Sequence, residues 1–395
     1  MHSDAMDRMV EPRVQADFWS RVVTMAQVGW AMLFHSRLKL LGTLSGVVFA
    51  VLLSNFSLGT FFGLMTKSTM LTRHANADIW IVPKGAELVG QGFVGLDTLS
   101  AARVTPGVER AAPLIVGATS LTVPGGRTEG VTLIGAKYPY DLGGPWNIVA
   151  GDVSALRHPD TMFLESASRE SFGGLNIGSV REVGGRRTVV GGLTWGLAPF
   201  GAPYACADFE TAREYLHIPN DRASLVLVRV DFGANAETVA ADLRSRISTA
   251  DIYTEEAFKR TTYRQVLTRT PIGVTFGAIS FFGLLVGVIV VGLAMFTSVV
   301  DNIREFGMLK AIGCTTGDLT MLLLAQSITA GGLGSALGLS VVALLSILMH
   351  SPNVGIVLPW QLTVLTLIAM VVMCISASLL ALSRIRKVEP GMVFR

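Results

Sequence analysis

Four long stretches of this chain carry no charged residue, and they limit what it can fold into more than any other feature. They run from Leu40 to Thr66, from Pro271 to Val300, from Leu319 to Met349 and from Trp360 to Ser383. A helix of about 20 apolar residues crosses the roughly 30 Å hydrocarbon layer of a bilayer, and each stretch is that long. Hydrophobic residues make up 50% of the chain and charged residues 15%, against about a quarter charged in soluble domains. The excess sits in the four blocks, so the sequence predicts four membrane-spanning helices.

Between the first and second blocks the character changes. Residues 67–270 have mixed charges and frequent turns. Segments 77–83, 127–136, 186–195 and 223–232 read as strands from their β-branched content and partial alternation. VPGG (123–126) and EVGG (182–185) read as turns, and 96–104 and 235–247 as short amphipathic helices. The expected fold class is an α-helical membrane protein with one span, a large α+β extracytoplasmic domain, then three spans. Subdomain boundaries are expected near residues 110 and 220.

Lysine and arginine in short flanking segments set orientation. Arg37 and Lys39 precede the first span, Arg304 and Lys310 lie between the second and third, and Arg384, Arg386, Lys387 and Arg395 follow the fourth. The break at 350–359 carries none. Lys259, Arg260, Arg264 and Arg269 oppose this pattern, but long translocated domains are weakly governed by it. The expected layout is a cytoplasmic segment 1–39, spans 40–66, 271–300, 319–349 and 360–383, and an outer domain 67–270. The 301–318 connection and the 384–395 tail are cytoplasmic, and 350–359 is a short outer loop. The first span is too long for a signal-peptide core and reads as retained. Ahead of it Phe18, Trp19, Val22, Val23, Ala26, Trp30, Leu33 and Phe34 recur at helical spacing. They form either an amphipathic helix on the cytoplasmic surface or an extension of the first span.

Candidate chemistry is sparse. There is no phosphate-binding G-x-x-x-x-G-K-[ST] loop. Cys206, Cys314 and Cys374 and the six scattered histidines show no metal-ligand spacing, and no metal site is expected. Asp160, Glu165, Glu170, His158 and Ser166 lack the spacing of a catalytic constellation, so no catalytic residues are assigned. No basic stripe with interleaved aromatics suggests nucleic acid. The spans hold almost no ionisable residue, which disfavours ion-coupled carriage. Gly42 with Gly46, Gly283 with Gly287 and Gly334 with Gly338 give small-xxx-small spacing, the pattern that lets membrane helices approach closely.

The most informative short segment is NIREFGMLKAIG, 302–313. Ile303, Phe306, Leu309 and Ile312 recur every three residues among Arg304, Glu305 and Lys310, and Gly313 ends the helix they form. The segment is similar to the signature of the FtsX-like, or MacB-like, ABC transporter permeases, with Asn302 where a basic residue is frequent. The basic, proline-containing ALSRIRKVEPGMVFR and the one-plus-three layout extend the resemblance over the whole chain. GVVFAVLLSN (46–55) and DTMFLESASRESFG (160–173) look most like the DevC branch.

The resemblance implies a non-catalytic permease subunit of an ATP-driven exporter in a bacterial inner membrane. ATP and Mg2+ would be bound by a cytoplasmic ABC ATPase dimer. A helix formed by Asn302, Ile303, Arg304, Glu305, Phe306, Gly307, Leu309, Lys310, Ala311, Ile312 and Gly313 would couple to that ATPase. Other implied partners are a second permease copy, membrane lipids, a periplasmic adaptor and an outer-membrane channel. ATPase closure would be transmitted to the periplasmic domain, with a lipid, glycolipid or other amphipathic molecule as cargo. Some relatives instead activate a periplasmic cell-wall hydrolase, which is the alternative reading.

Overall fold

The structure is a computed structural model that describes residues 23–35, 37–198, 201–269, 271–301, 303–348 and 357–385. Asn302, the polar start, the basic tail from 386 and most of the 350–359 loop lie outside the described residues. The described chain forms two compact units, one helical and one α+β.

In the helical unit, helix α1 (23–35) is followed by α2 (Arg37–Ser68). The chain re-enters this unit in α8 (Pro271–Asp301), continues through the short α9 (Ile303–Ala311) and α10 (Thr316–Leu348), and ends in α11 (Trp360–Ile385). Segments Leu40–Ser68, Gly273–Val290 and Thr316–Leu348 are long and apolar enough to cross a membrane, and Trp360–Ser376 is a shorter apolar helix. Half of the most apolar window of α2 is buried, against 11% for α8, so α2 is the packed centre.

Glycines bring the helices to α2. A Cβ at Gly283 would lie 3.0 Å from Leu53 Cβ, and one at Gly287 would overlap Ala50 Cβ. On α10, a Cβ at Gly334 would lie 2.7 Å from Val47 and one at Gly338 2.8 Å from Val51. Gly283 with Gly287 and Gly334 with Gly338 thus form two notched seams that receive α2, whereas a Cβ at Gly42 would meet nothing within 4 Å. Polar groups reinforce them: buried Asn55 Nδ2 donates to Val51 O (3.0 Å), and Thr366 Oγ1 of α11 donates to Asn55 Oδ1 (3.3 Å). Such internal pairing is what a polar side chain at membrane depth requires.

Phe18, Trp19 and Val22 of the N-terminal segment lie outside the described residues, and packing gives the direction of the rest. Gln326 Nε2 donates to Gly29 O at 3.1 Å, while Val47 sits against Gly334. A straight helix from residue 29 to residue 47 would advance about 27 Å, but α10 advances only about 12 Å from 326 to 334. Helix α1 is therefore set at an angle to α2 and does not continue its line.

The α+β unit contains α3 (Met70–His74), β1 (Ile79–Pro83), β2 (Val94–Gly95), α4 (Asp97–Arg103), β3 (Val108–Thr122) and β4 (Thr128–Ala136). Strands β5 (Ile148–Gly151), β6 (Thr161–Glu165), β7 (Val180–Val183), β8 (Arg186–Thr194) and β9 (Tyr204–Asp208) follow. Then come α5 (Phe209–Tyr215), β10 (Arg222–Ala223), β11 (Leu225–Val230), α6 (Ala236–Arg246), β12 (Ala250–Thr254) and α7 (Glu255–Thr268). Ten strands form one sheet in the order β12-β1-β11-β3-β4-β9-β6-β8-β5, with β7 bridging β3 and β8. That bridge closes β3-β4-β9-β6-β8-β7 into a ring. Alternation puts successive residues on opposite faces: Ile79 and Ile81 join one core with α4, α5 and α6, and Trp80 joins the other with Phe258 of α7. The boundary expected near residue 110 falls inside β3, which serves both the open half and the ring. The one near 220 falls where the chain returns from α5 to β11.

Glu165 joins β6 to the turn after β8. It is fully buried, and its carboxylate accepts from Ala167 N (3.0 Å), Gly196 N (2.9 Å), Leu197 N (2.7 Å) and Thr194 Oγ1 (3.3 Å). Nearby, burial and then the Glu165 charge push the Cys206 thiol up to about 12, so it stays protonated and inert at neutral pH.

Two substitutions test these contacts. Gly287→Ala should lower the unfolding temperature in detergent, at a cost of about 1–3 kcal/mol, while Gly292→Ala, whose Cβ would meet nothing within 4 Å, should be neutral. Glu165→Gln replaces an acceptor oxygen with a donor facing N–H groups and should cost about 2–3 kcal/mol, read by chemical denaturation of the purified protein.

Candidate functional site

Helix α9 lies in the short connection between two apolar helices, and the turn after it is held at both ends. Gly313 has φ +105°, a region in which a side chain is strained. Its N–H donates to Lys310 O (3.1 Å), and Cys314 N–H donates to Leu309 O (3.0 Å). This pair of bonds is a Schellman C-cap. Two residues later Thr315 N donates to Asp318 Oδ2 (2.8 Å) and Asp318 N donates to Thr315 Oγ1 (3.2 Å). That reciprocal pair is a capping box for α10. Only Cys314 lies between Gly313 and Thr315, so hydrogen bonds hold the turn from α9 into α10 on both sides.

One face of α9 is packed. Phe306 is 2% exposed and clusters with Leu319, Leu322 and Leu323 of α10, with Leu309 and with Met25, Val28 and Met32 of α1. Gly307 is also buried, and Lys310 is half-buried. The other face is open. Arg304, Glu305, Ala311 and Gly313 are exposed, as are Met308 (52%) and Ile312 (82%).

The expectation that Ile312 shares the Phe306–Leu309 face is therefore corrected. A three-residue step turns the helix by about 300°, so residues 306 and 312 lie about 120° apart around the axis. Ile312 instead aligns with Met308 and Arg304 at four-residue steps. Met308, Thr315 and Asp318 were not picked out by the spacing argument. The i, i+4 pairing with Ile312 identifies the first, and the T-x-x-D box identifies the other two. Asn302 lies outside the described residues, and Ile303 opens α9. The exposed stripe is a small apolar strip with charges at its edge.

Asp160, Glu165, Ser166 and His158 of the α+β unit sit in its strands and turns, and Glu170 is exposed. Asp160 Oδ1 accepts from the Tyr215 hydroxyl (3.0 Å), and burial, followed by this bond, pushes that phenol up to about 12. Glu165 spends its oxygens on the four donors above, and Ser166 opens the one-turn 3-10 helix that follows it. His158 closes the preceding 3-10 turn, Val153–Arg157. Among the described residues, no group of three or more His, Cys, Asp or Glu side chains is placed to hold a metal.

The family described as MacB-like periplasmic core domain matches residues 40–246, just over half of the chain, and that described as FtsX-like permease C-terminal matches 277–390. Among solved structures, the extracellular domain of the noncanonic ABC-type transporter YknZ from Gram-positive bacteria is similar at 13% identity and a TM-score of 0.33. It covers 45% of this chain and 98% of that one. The periplasmic region of MacB from Actinobacillus actinomycetemcomitans is similar at 12% identity and a TM-score of 0.36, covering 50% and 97%. An uncharacterized ABC transporter permease protein of Mycobacterium tuberculosis is 28% identical over 133 residues, 34% of this chain. The chain spans 15% of the length of that curated relative. The apolar helices flanking a large α+β domain make this a multi-pass inner-membrane protein with a periplasmic domain. From its outer domain to its last helix, the chain belongs to the FtsX-like/MacB-like superfamily of ABC transporter permeases.

Proposed function

We propose that the chain is the permease subunit of an ATP-driven exporter and that α9 is its docking element for a separate cytoplasmic ABC ATPase dimer. The observation that carries this reading is the open stripe Arg304–Met308–Ile312 on a helix whose other face is packed and whose end is capped. A helix held this way passes on a push instead of yielding to it. ATP and Mg2+ belong to the ATPase, and the permease contributes no catalytic group. Movement of α9 reaches the periplasmic domain through the long helices. The glycine seams around α2 suit that role, because notched helices pack closely and shift as rigid rods.

A second copy of the chain and membrane lipids cover the exposed apolar surface of the bundle, most of all α8. The periplasmic domain engages an adaptor and an outer-membrane channel, as the likeness of segments 46–55 and 160–173 to DevC-type permeases suggests. The cargo class is a lipid, glycolipid or other amphipathic molecule. Affinity purification of the tagged protein from its native membrane in mild detergent, with mass spectrometry of what is retained, tests the reading. An ATPase together with a periplasmic adaptor supports the exporter. An ATPase together with a cell-wall hydrolase replaces it with a regulatory role.

Two variants probe the docking face in the same preparation. Met308→Asp with Ile312→Asp should reduce ATPase capture by more than about tenfold, since central apolar contacts dominate such interfaces, while leaving the unfolding temperature of the permease unchanged. Gly313→Val forces a β-branched side chain into a φ it resists. It should leave some ATPase bound but lower export-linked ATP hydrolysis, and unchanged coupling would make the glycine incidental.

A further inference from the structure

Helix α9 is continuous in sequence with α8 and α10, but its packed face reaches a third helix. Phe306 and Leu309 share one apolar cluster with Met25, Val28 and Met32 of α1, and α2 begins at Arg37, two residues after the last described residue of α1. Helix α1 is also fixed along α10. Gly29 lies so close that a Cβ there would be 3.0 Å from Leu322 O. Its carbonyl accepts from buried Gln326 Nε2 (3.1 Å), and Trp30 Nε1 donates to Thr329 Oγ1 (2.7 Å). A side-chain bond to a helix carbonyl beside apolar surroundings fixes register, because slippage would strand both groups.

The periplasmic unit is entered from α2 and left through α8. A push on α9 acts on α8 at once, through the chain. A domain held at two ends changes shape only when its ends move differently. We propose that α1 is the relay through which displacement of α9 reaches α2, with Gly29 and Gln326 as positioning residues that keep the relay in register. Because α1 is set at an angle to α2, a push across α1 becomes a displacement of the cytoplasmic end of α2. The relay rests on the docking role of α9.

The test uses the full chain assembled with the ATPase it captures, carrying a fluorophore at Phe232→Cys in a Cys314→Ser background. Phe232 is fully exposed in the periplasmic domain, and Cys206 and Cys374 are buried. A short flexible Gly-Ser insert after His35 breaks the mechanical link while leaving the α1 packing intact. The insert should retain ATPase capture and hydrolysis but lose the ATP-dependent fluorescence change by at least about fivefold, the lower range of allosteric couplings. Gly29→Leu, which pushes α1 off α10, should give the same split. A full ATP response with the insert overturns the relay. Loss of ATPase capture with the insert also overturns it, by making α1 part of the dock. If the labelled protein without the insert captures ATPase but gives no ATP response, transmission itself is overturned. If that protein captures no ATPase, the docking reading fails first, so the two failures are told apart.

Discussion

Backbone-level contact between α2 and its neighbours is the constraint on which the helical unit depends. In a bilayer, apolar side chains gain little by leaving lipid for protein, so association rests on close packing and internal hydrogen bonds. Gly283 and Gly287 on one side and Gly334 and Gly338 on the other let α2 approach two helices at distances that a Cβ would crowd. The Asn55–Thr366 bond adds the fourth helix. With α2 held in this way, α10 has a fixed neighbour, α1 has a seat on α10, and α9 has an apolar cluster to rest on.

The same logic of fixed ends governs α9. A nine-residue helix has little stability alone. Its packed face contributes through Phe306 and Leu309, and its C-terminus through the Gly313 cap and the adjoining Thr315–Asp318 box. The polar and apolar faces are thereby held in one orientation, and the exposed Met308 and Ile312 are presented instead of being swept up in the cluster. What the chain offers to the cytoplasm is a product of the turn as much as of the helix.

Much of this was legible in the sequence, for physical reasons. Membrane helices have to be long and uncharged, so their positions could be read directly, and strand alternation marked segments such as 77–83 and 223–232. The glycines announced close approach, but Val47, Ala50, Val51 and Leu53, which receive them, carry no signal among so many apolar residues. The face of Ile312 was misjudged because a three-residue repeat drifts around a helix of 3.6 residues per turn. The ring closed by β7 could not be seen, since strand pairing across sixty residues leaves no local trace. Strand β3 hid the expected break at residue 110 by serving both halves of the sheet.

The pairing of β1 carries a consequence for how the periplasmic domain comes into being. Both of its neighbours, β11 and β12, lie well over a hundred residues later in the chain. Strand β1 is made soon after the first span and has no partner until nearly the whole domain has been delivered across the membrane. Such distant pairing makes folding slow and leaves an unpaired apolar strand waiting in the meantime. The sheet is completed by β12, which α7 separates from α8. Biogenesis of this domain is therefore timed by the arrival of its last segment, and translocation that stalled before residue 225 would leave an aggregation-prone fragment tethered to the membrane by α2.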